Sequence, residues 1–332
     1  MKLLYVGDSF RDDNNPNYLA TLGRLAALVG HSVSTSFTRR ETAIEVSMIC
    51  KQRGFDGVIC SQPSLLAAAL RQLPDYIPPP KNTAPTLEDY AGSWIDMPLG
   101  FPMIVINSLE RFNTVAEEKF VTNRFISKLT QPNKWFNQTE FKWSQVHEYN
   151  QDEVLADLRT ADICAIDIET PGDDNRSITC VGYCCYWRDT GRTHCYVVHF
   201  NSEWAWQFVR AASATRSFKI FQNGQYDNSY LLRWGCPVHN WQGDTLNLMH
   251  SWYSELPKRL DFITAFALRK QRFWKNDGKT GSLEDLFRYN ALDCWATLNS
   301  FLSLLAEMPD WAINNYLIEF PMVFPSLNAA LE

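Results

Sequence analysis

The 332-residue chain reads as an α/β protein in two parts: a smaller parallel α/β domain, then a mixed sheet flanked by helices. Three features predict this. From Met1 to Leu73 short apolar runs alternate with amphipathic ones, the rhythm of β-α units around a parallel sheet. Prolines at 78–80 and 85 then impose a stiff, extended connection. Between Ile163 and Phe200 three strand-like runs follow one another across tight turns, before a mainly helical stretch from Gly243 to about Met308.

Composition narrows the classes. A hydrophobic content of 45% is ample for real cores, and the length favours two domains. The net charge of −6 argues against a protein that grips duplex DNA by a basic patch. A protein that meets phosphates through bound cations escapes that argument, because the ions supply the positive charge locally. The nine cysteines include no Cys-x-x-Cys pair, and Cys60, Cys164 and Cys180 sit in apolar runs, so buried free thiols are expected rather than zinc. No signal peptide or membrane-length apolar run occurs, which fits a reducing cytoplasm.

In order, Leu3–Val6 reads as a strand and Tyr18, Leu22, Leu25, Ala26 and Val29 recur at helical spacing. Val33–Phe37 is a second strand, Glu41–Gln52 a helix, Gly57–Cys60 a third strand and Ser64–Gln72 a helix. Gly7-Asp8-Ser9 marks an ordinary strand-to-helix turn at a carboxyl strand end. Met103–Ile106 is another buried strand. Asn113–Leu129 is a helix stopped by Pro132, which closes a first domain at about residue 130. Its β-α-β order resembles, distantly, the uracil-DNA-glycosylase type of domain. The His-Pro pair those enzymes carry after the corresponding strand is absent, so the resemblance implies a degenerate relative.

Residues 131–150, rich in Asn, Gln, Trp and Lys, form a linker or edge segment. The second domain, 151–308, opens with the helix Gln151–Leu158. Next comes Ile163-Cys164-Ala165-Ile166-Asp167-Ile168-Glu169-Thr170, an apolar strand interrupted by two acids. Residues i and i+2 of a strand share a face, so Asp167 and Glu169 stand side by side. Such a pair is costly to bury unless a cation neutralises it. Strands at Ile178–Trp187 and His194–Phe200 complete an antiparallel meander. A helix at Ser202–Ala212, a strand at Phe218–Gln222 and a helix at Gly224–Trp234 follow.

Two further segments raise the weight of the acid pair. Asn223-Gly224-Gln225-Tyr226-Asp227 follows an apolar strand, and Tyr289-Asn290-Ala291-Leu292-Asp293 lies within a helix, where Tyr289 and Asp293 share one face. Ser282 with Asp285 marks where that helix starts. Carboxylates without His or Cys favour hard cations, Mg²⁺ or Mn²⁺. Two such ions about 3.5–4 Å apart would clamp the attacking and leaving oxygens of an in-line displacement at phosphorus.

These three segments resemble the exonuclease motifs of the DEDD superfamily, in the variant with tyrosine in the third motif. The resemblance covers about residues 151–308 and implies an RNase H-like exonuclease domain. Within the superfamily, Asp244-Thr245-Leu246 and Glu255-Leu256-Pro257-Lys258-Arg259-Leu260-Asp261-Phe262 look like the proofreading domain of family A DNA polymerases. The loop from Phe273 to Lys279 is similar to phage members. The resemblance implies catalytic residues Asp167, Glu169, Asp227, Tyr289 and Asp293, the four carboxylates being the ligands of two metal ions. Asp167, Glu169 and Asp293 would hold the ion that carries the attacking water, with Asp167 bridging to the second ion. Asp227 would support that second ion through water. Tyr289 would orient the nucleophile, since a phenol of pKa near 10 is a poor base at neutral pH. Thr170, Asn223, Trp274 and Lys275 are the expected substrate contacts. Asn223 equally fits a residue that merely holds its turn.

The expected activity is removal of 5′-mononucleotides from single-stranded or frayed DNA 3′ ends, as the proofreading part of a phage-type polymerase in its host's cytoplasm. Two alternatives stand beside it: an RNase D-type RNA-trimming exonuclease, and an inactive nucleic-acid-binding scaffold. Residues 309–332 carry a large apolar load, read as the start of a connection to an absent polymerase domain. The basic surroundings of the 272–281 loop, with Phe273 and Trp274 interleaved, suit phosphates and a stacked base. Trp204, Trp206 and Trp234 are expected to be packing residues.

Overall fold

A computed structural model describes residues 1–7, 32–36, 42–74, 76, 85–107, 116–171, 177–276 and 281–331. The helix expected through Tyr18 and Val29, the triple proline, and most of the Gly7–Ser9 and Pro171–Asp174 turns lie outside them. Two compact units emerge, and their division corrects the contiguous one expected. Residues 1–136 are joined by 265–280 in the first unit; residues 137–264 and 281–332 form the second.

The first unit is built on β1 (Lys2–Gly7), β2 (Ser32–Ser36), β3 (Gly57–Ser61), β4 (Trp94–Asp96) and β5 (Pro102–Val105), in the order β2-β1-β3-β5-β4. All pairings are parallel except the edge strand β4, which runs antiparallel to β5. Leu3, Leu4, Val58, Ile59, Met103 and Ile104 are all buried, the continuous apolar run typical of a sheet covered on both faces. Helix α1 (Ala43–Arg53) starts at a reciprocal Thr42–Glu45 capping box and stops at Gly54, whose φ of +66° a side chain would strain. Helices α2 (Pro63–Leu70), α3 (Leu87–Tyr90) and α4 (Ala116–Thr130) follow. The pieces missing from the sequence reading, α3 and β4, are too short to display a period.

Segment 265–280 completes this unit. Phe273 joins the core beside Tyr90, ring centroids 5.1 Å apart, and its N–H donates to Ser93 Oγ (3.0 Å). The Trp94 N–H donates to the Gln271 carbonyl (3.0 Å). Two arginines bond within the unit: Arg124 Nε donates to the Phe266 carbonyl (2.7 Å) and Arg269 Nε to that of Lys128 (2.9 Å). Trp274 is 2% exposed, so its indole has no face to offer a base, which corrects the stacking role expected of it. The Lys275 ammonium lies 5.4 Å from the centroid of that buried ring.

The second unit contains β6 (Trp143–Val146), α5 (Gln151–Thr160), β7 (Ile163–Glu169), β8 (Cys180–Trp187), β9 (Arg192–His199), α6 (Glu203–Ser213), β10 (Phe218–Phe221), α7 (Gly224–Arg233) and β11 (Trp241–Asp244). Helices α8 (Thr245–Trp252), α9 (Leu260–Ala267), α10 (Leu283–Glu307), α11 (Asp310–Glu319) and α12 (Val323–Leu331) follow, α9 crossing the division between units. The sheet order is β11-β10-β7-β8-β9-β6. Strands β7, β8 and β9 form the expected antiparallel meander, while β10 and β11 continue the sheet parallel to β7. This mixed sheet flanked by helices is the RNase H-like arrangement. β6 pairs in parallel with β9, so the stretch expected to be a linker or edge segment supplies an edge strand.

Helix α10 is capped by Ser282, whose Oγ accepts the Asp285 N–H (3.1 Å). From Asn290 to Phe301 it is buried on all sides and lies against β7, β8 and β9. Part of the carboxyl-terminal apolar load closes this same unit. Trp241 packs against Phe320 and Phe324 at 5.8 and 5.3 Å, and the Tyr316 hydroxyl accepts the Asp244 N–H (3.1 Å). Trp311, Leu317, Ile318 and Met322 remain exposed. All nine cysteines are free and buried, as expected. Among the described residues no helix is long and apolar enough to cross a membrane.

Candidate active site at the carboxyl ends of β7 and β10

β7 and β10 run in parallel, so their carboxyl ends open on the same side of the sheet, where α/β folds place ligands. Asp167 and Glu169 occupy the last turn of the pleat in β7 and share a face. Across from them, α10 delivers Asp293. One carboxylate oxygen from each of Asp167, Glu169 and Asp293 lies within 4.8 Å of the others. Asp167 and Glu169 are half-buried and Asp293 is buried. Three hard oxygen donors converging in a partly dry site fit a divalent cation such as Mg²⁺ or Mn²⁺, and the lack of nitrogen or sulfur donors among them disfavours zinc.

Asp227, the fourth acid, stands apart from that triad. The β10 ladder covers only Ile163–Ala165 of β7, leaving the later Ile168 N–H without a strand partner, and Asp227 Oδ1 accepts it (3.0 Å). The carboxylate is 4% exposed. Burial pushes its pKa up to about 7, against the pull of the Ile168 N–H, with Asp244 and Asp293 adding repulsion. A nearby divalent ion would reverse that balance and hold Asp227 ionised.

The loop that aims Asp227 depends on a residue whose role the sequence did not disclose. Asn223 adopts φ +59°, ψ +45°, a left-handed conformation that asparagine tolerates, and its side chain is exposed. Asp244, at the end of β11, accepts the N–H groups of Asn223 (3.1 Å) and Gly224 (2.7 Å) through its two oxygens, and that of Leu246 (2.9 Å). It thereby ties the start of α7 to the start of α8. Desolvation raises the Asp244 pKa to about 6 even against these bonds. Asn223 therefore reads chiefly as the residue that makes the turn.

Asn290 is the second residue missed. Fully buried on α10, it donates from Nδ2 to Asp167 Oδ2 (2.7 Å) and so fixes the carboxylate from the helix side. Its Oδ1 is buried without a hydrogen-bond partner. That oxygen rests over Gly182, the residue paired with Asp167 across β7 and β8. A Cβ at Gly182 would collide with Asn290 Oδ1 and approach Cys294 Sγ to 2.7 Å. Glycine there is what lets α10 reach the sheet at Asp167. The spacing Tyr289-Asn290-x-x-Asp293 placed Asn290 on the right helix, yet only the β8 pairing reveals the contact.

The remaining expected residues fall as follows. Tyr289 is half-buried on α10, one turn before Asp293. Thr170, next after Glu169, shares a hydrogen bond with the Tyr226 hydroxyl (3.0 Å). Trp274 and Lys275 belong to the first unit. Trp206 is tied down, its Nε1 donating to the Trp234 carbonyl (2.7 Å), but Trp234 itself is 43% exposed and not the packing residue expected.

No protein-family model matches the chain, and no curated protein matches it by sequence. Among solved structures it is similar to NrnC of Brucella melitensis with bound Mg²⁺, at 17% identity and a TM-score of 0.42 over 58% of this chain and 94% of that one. RNase D of Trypanosoma brucei matches at 14% identity and a TM-score of 0.37, over 55% of this chain and 72% of that one. The polymerase domain of Pol1 from M. smegmatis, in complex with DNA primer-template and dNTP, matches at 11% identity and a TM-score of 0.40 over 50% of this chain. This chain spans 27% of that polymerase chain. Likenesses this distant carry no argument about activity, which rests on the residues of the site.

Proposed function

We propose that the protein is a metal-dependent 3′→5′ exonuclease that removes 5′-mononucleotides from single-stranded or frayed DNA ends, as the proofreading part of a DNA polymerase. The observation that carries this reading is the convergence of Asp167, Glu169 and Asp293 within 4.8 Å at the carboxyl end of β7. Asp167, Glu169 and Asp293 would hold one Mg²⁺ or Mn²⁺ ion, and Asp227 would support a second beside Asp167. Such a pair of ions supplies charge stabilisation to the attacking and leaving oxygens of an in-line displacement at phosphorus.

The chain's own residues do the positioning. Asn290 holds one oxygen of Asp167 from the helix side. Asp244 fixes the loop that presents Asp227. Tyr289, on the helical face of Asp293, orients the water that attacks. Thr170 lies where the backbone of β7 leaves the sheet and would contact the terminal nucleotide. The preference for DNA and the link to a polymerase rest on the Asp244–Leu246 and Glu255–Phe262 runs of the sequence.

Matched 5′-labelled DNA and RNA oligonucleotides incubated with Mg²⁺ test the reading. A ladder shortening from the 3′ end of DNA, faster than of RNA, is expected, and Asp167→Ala with Glu169→Ala should slow it about a thousandfold or more, roughly 4 kcal/mol of barrier. Faster trimming of RNA would move the assignment to an RNA-processing enzyme. Degradation that is untouched by the double substitution would remove the carboxylates from the mechanism.

A further inference from the structure

We infer that one face of α7 is the track along which a single nucleic-acid strand approaches the carboxylate cluster, a reading that rests on the nuclease assignment above. The helix starts beside the cluster: Thr170, adjacent to Glu169, is hydrogen-bonded to Tyr226 (Oγ1 to OH, 3.0 Å). With successive residues about 100° apart around a helix, Tyr226, Tyr230, Arg233 and Trp234 share an arc of about 100°. Asp227, Asn228 and Leu231 occupy the buried side. The arc thus carries three aromatic rings at one-turn intervals, Tyr226 and the C-cap Trp234 exposed and Tyr230 half-buried, with a cation among them.

Its exposure calls for an explanation. Tyr226 is 46% and Trp234 43% exposed, although large aromatic side chains dominate core packing wherever burial is open to them. The rings are also held in place. Tyr226 and Tyr230 pack with centroids 4.9 Å apart at an interplanar angle of 43°. Phe200 meets Trp234 edge-on at 5.4 Å, and Trp206 Nε1 anchors the Trp234 carbonyl (2.7 Å). Partly exposed rings held in place are what unpaired bases stack on, and stacking tolerates any base because each has a π-face. Arg233 is exposed within the same arc and suits the phosphates between bases.

Length sets the test. From Tyr226 to Trp234 the helix rises about 12 Å, which a strand stacked at about 3.4 Å per nucleotide covers in roughly four nucleotides. The face should therefore serve substrates longer than that and be irrelevant to a two-nucleotide one. The experiment compares KM for a single-stranded 12-mer with KM for a two-nucleotide substrate in the full chain and in the variant Tyr230→Ser with Trp234→Ser. The ratio of the two KM values is expected to shift about tenfold against the 12-mer, with Tyr230→Phe and Trp234→Phe restoring it. An unchanged ratio overturns the proposal.

Fluorescence-anisotropy binding of a labelled 12-mer in Ca²⁺ separates this idea from the nuclease assignment. If the parent cleaves nothing, that assignment fails, while about tenfold weaker binding by the Ser variant still supports the track. Equal binding by parent and variant overturns it, and that is the result expected if the face instead docks a protein.

Discussion

A set of buried cations in the first unit and a carboxylate cluster in the second are satisfied in opposite ways. In the first, cations are absorbed by the scaffold: the fully buried Lys128 donates to the Gly92 carbonyl (2.6 Å) beside the Phe125 and Trp135 rings, and desolvation holds its pKa well below the usual lysine range. Arg124 likewise lies 4.2 Å from the Phe266 ring centroid while bonding that residue's carbonyl. In the second unit, three carboxylates converge within 4.8 Å and repel one another. A cation satisfied by carbonyls and ring faces needs nothing further from solution. Like charges gathered at a strand end are stabilised by a cation that arrives from outside.

The largest effect comes from testing whether the basic segment is scaffold. A fragment of residues 1–136 lacks 265–280, and with it Phe273 from the core and the Gln271 carbonyl that β4 uses. It should show no cooperative melting, whereas the full chain should melt with the first unit intact. A fragment that unfolds cooperatively would return segment 265–280 to the role of a substrate loop.

Gly182→Ala sharpens the other half of the contrast. The new methyl would strike Asn290 Oδ1 and crowd Cys294, pushing α10 away from Asp167. Overpacking of this kind costs about 1–3 kcal/mol of stability, measurable by urea melts. Cleavage should fall about a hundredfold, because Asp293 travels with the helix. Wild-type rates with the methyl in place would mean that the triad tolerates a shift of its helix.

These cases show what could be read from the chain alone. Asp167, Glu169, Asp227 and Asp293 were legible because each interrupts or closes a strongly periodic element, so the element fixes the face it presents. The meander of β7, β8 and β9 was legible for the same reason. Asn290, Gly182 and Asp244 were not, because their roles arise only where α10 crosses β8 and where β11 meets the start of α7, contacts between residues far apart in sequence. Trp274 misled because a ring among Arg and Lys resembles a solvated loop, whereas its indole is buried. β6 was too short and too polar to separate strand from linker.

The most gradual effect is a pH slope. The Asp244 carboxyl is pushed up to about 6 in the folded chain from an ordinary 3.8. Between those values the folded state keeps a proton that the unfolded chain has released, so the Asp244 contribution to stability should fall as pH rises from about 4 to about 6 and then level, while Asp227, pushed up to about 7, extends the decline. The change is at most about 3 kcal/mol. Urea melts across that range should show it, and Asp244→Asn should flatten that contribution at the price of a less stable loop. Stability that climbs through the same window would place Asp244 among ordinary paired carboxylates.

The central claim is that the triad at the end of β7 is built for a divalent cation. Calorimetric titration of Mn²⁺ into the metal-free chain tests it most directly, alongside the same titration of Asp293→Asn. The parent should bind Mn²⁺ saturably and melt at a higher temperature in its presence, by about 2.7 kcal/mol of added stability at a hundredfold excess over Kd, and the variant should lose most of both. Equal Mn²⁺ binding by parent and variant, or none by the parent, would contradict the account.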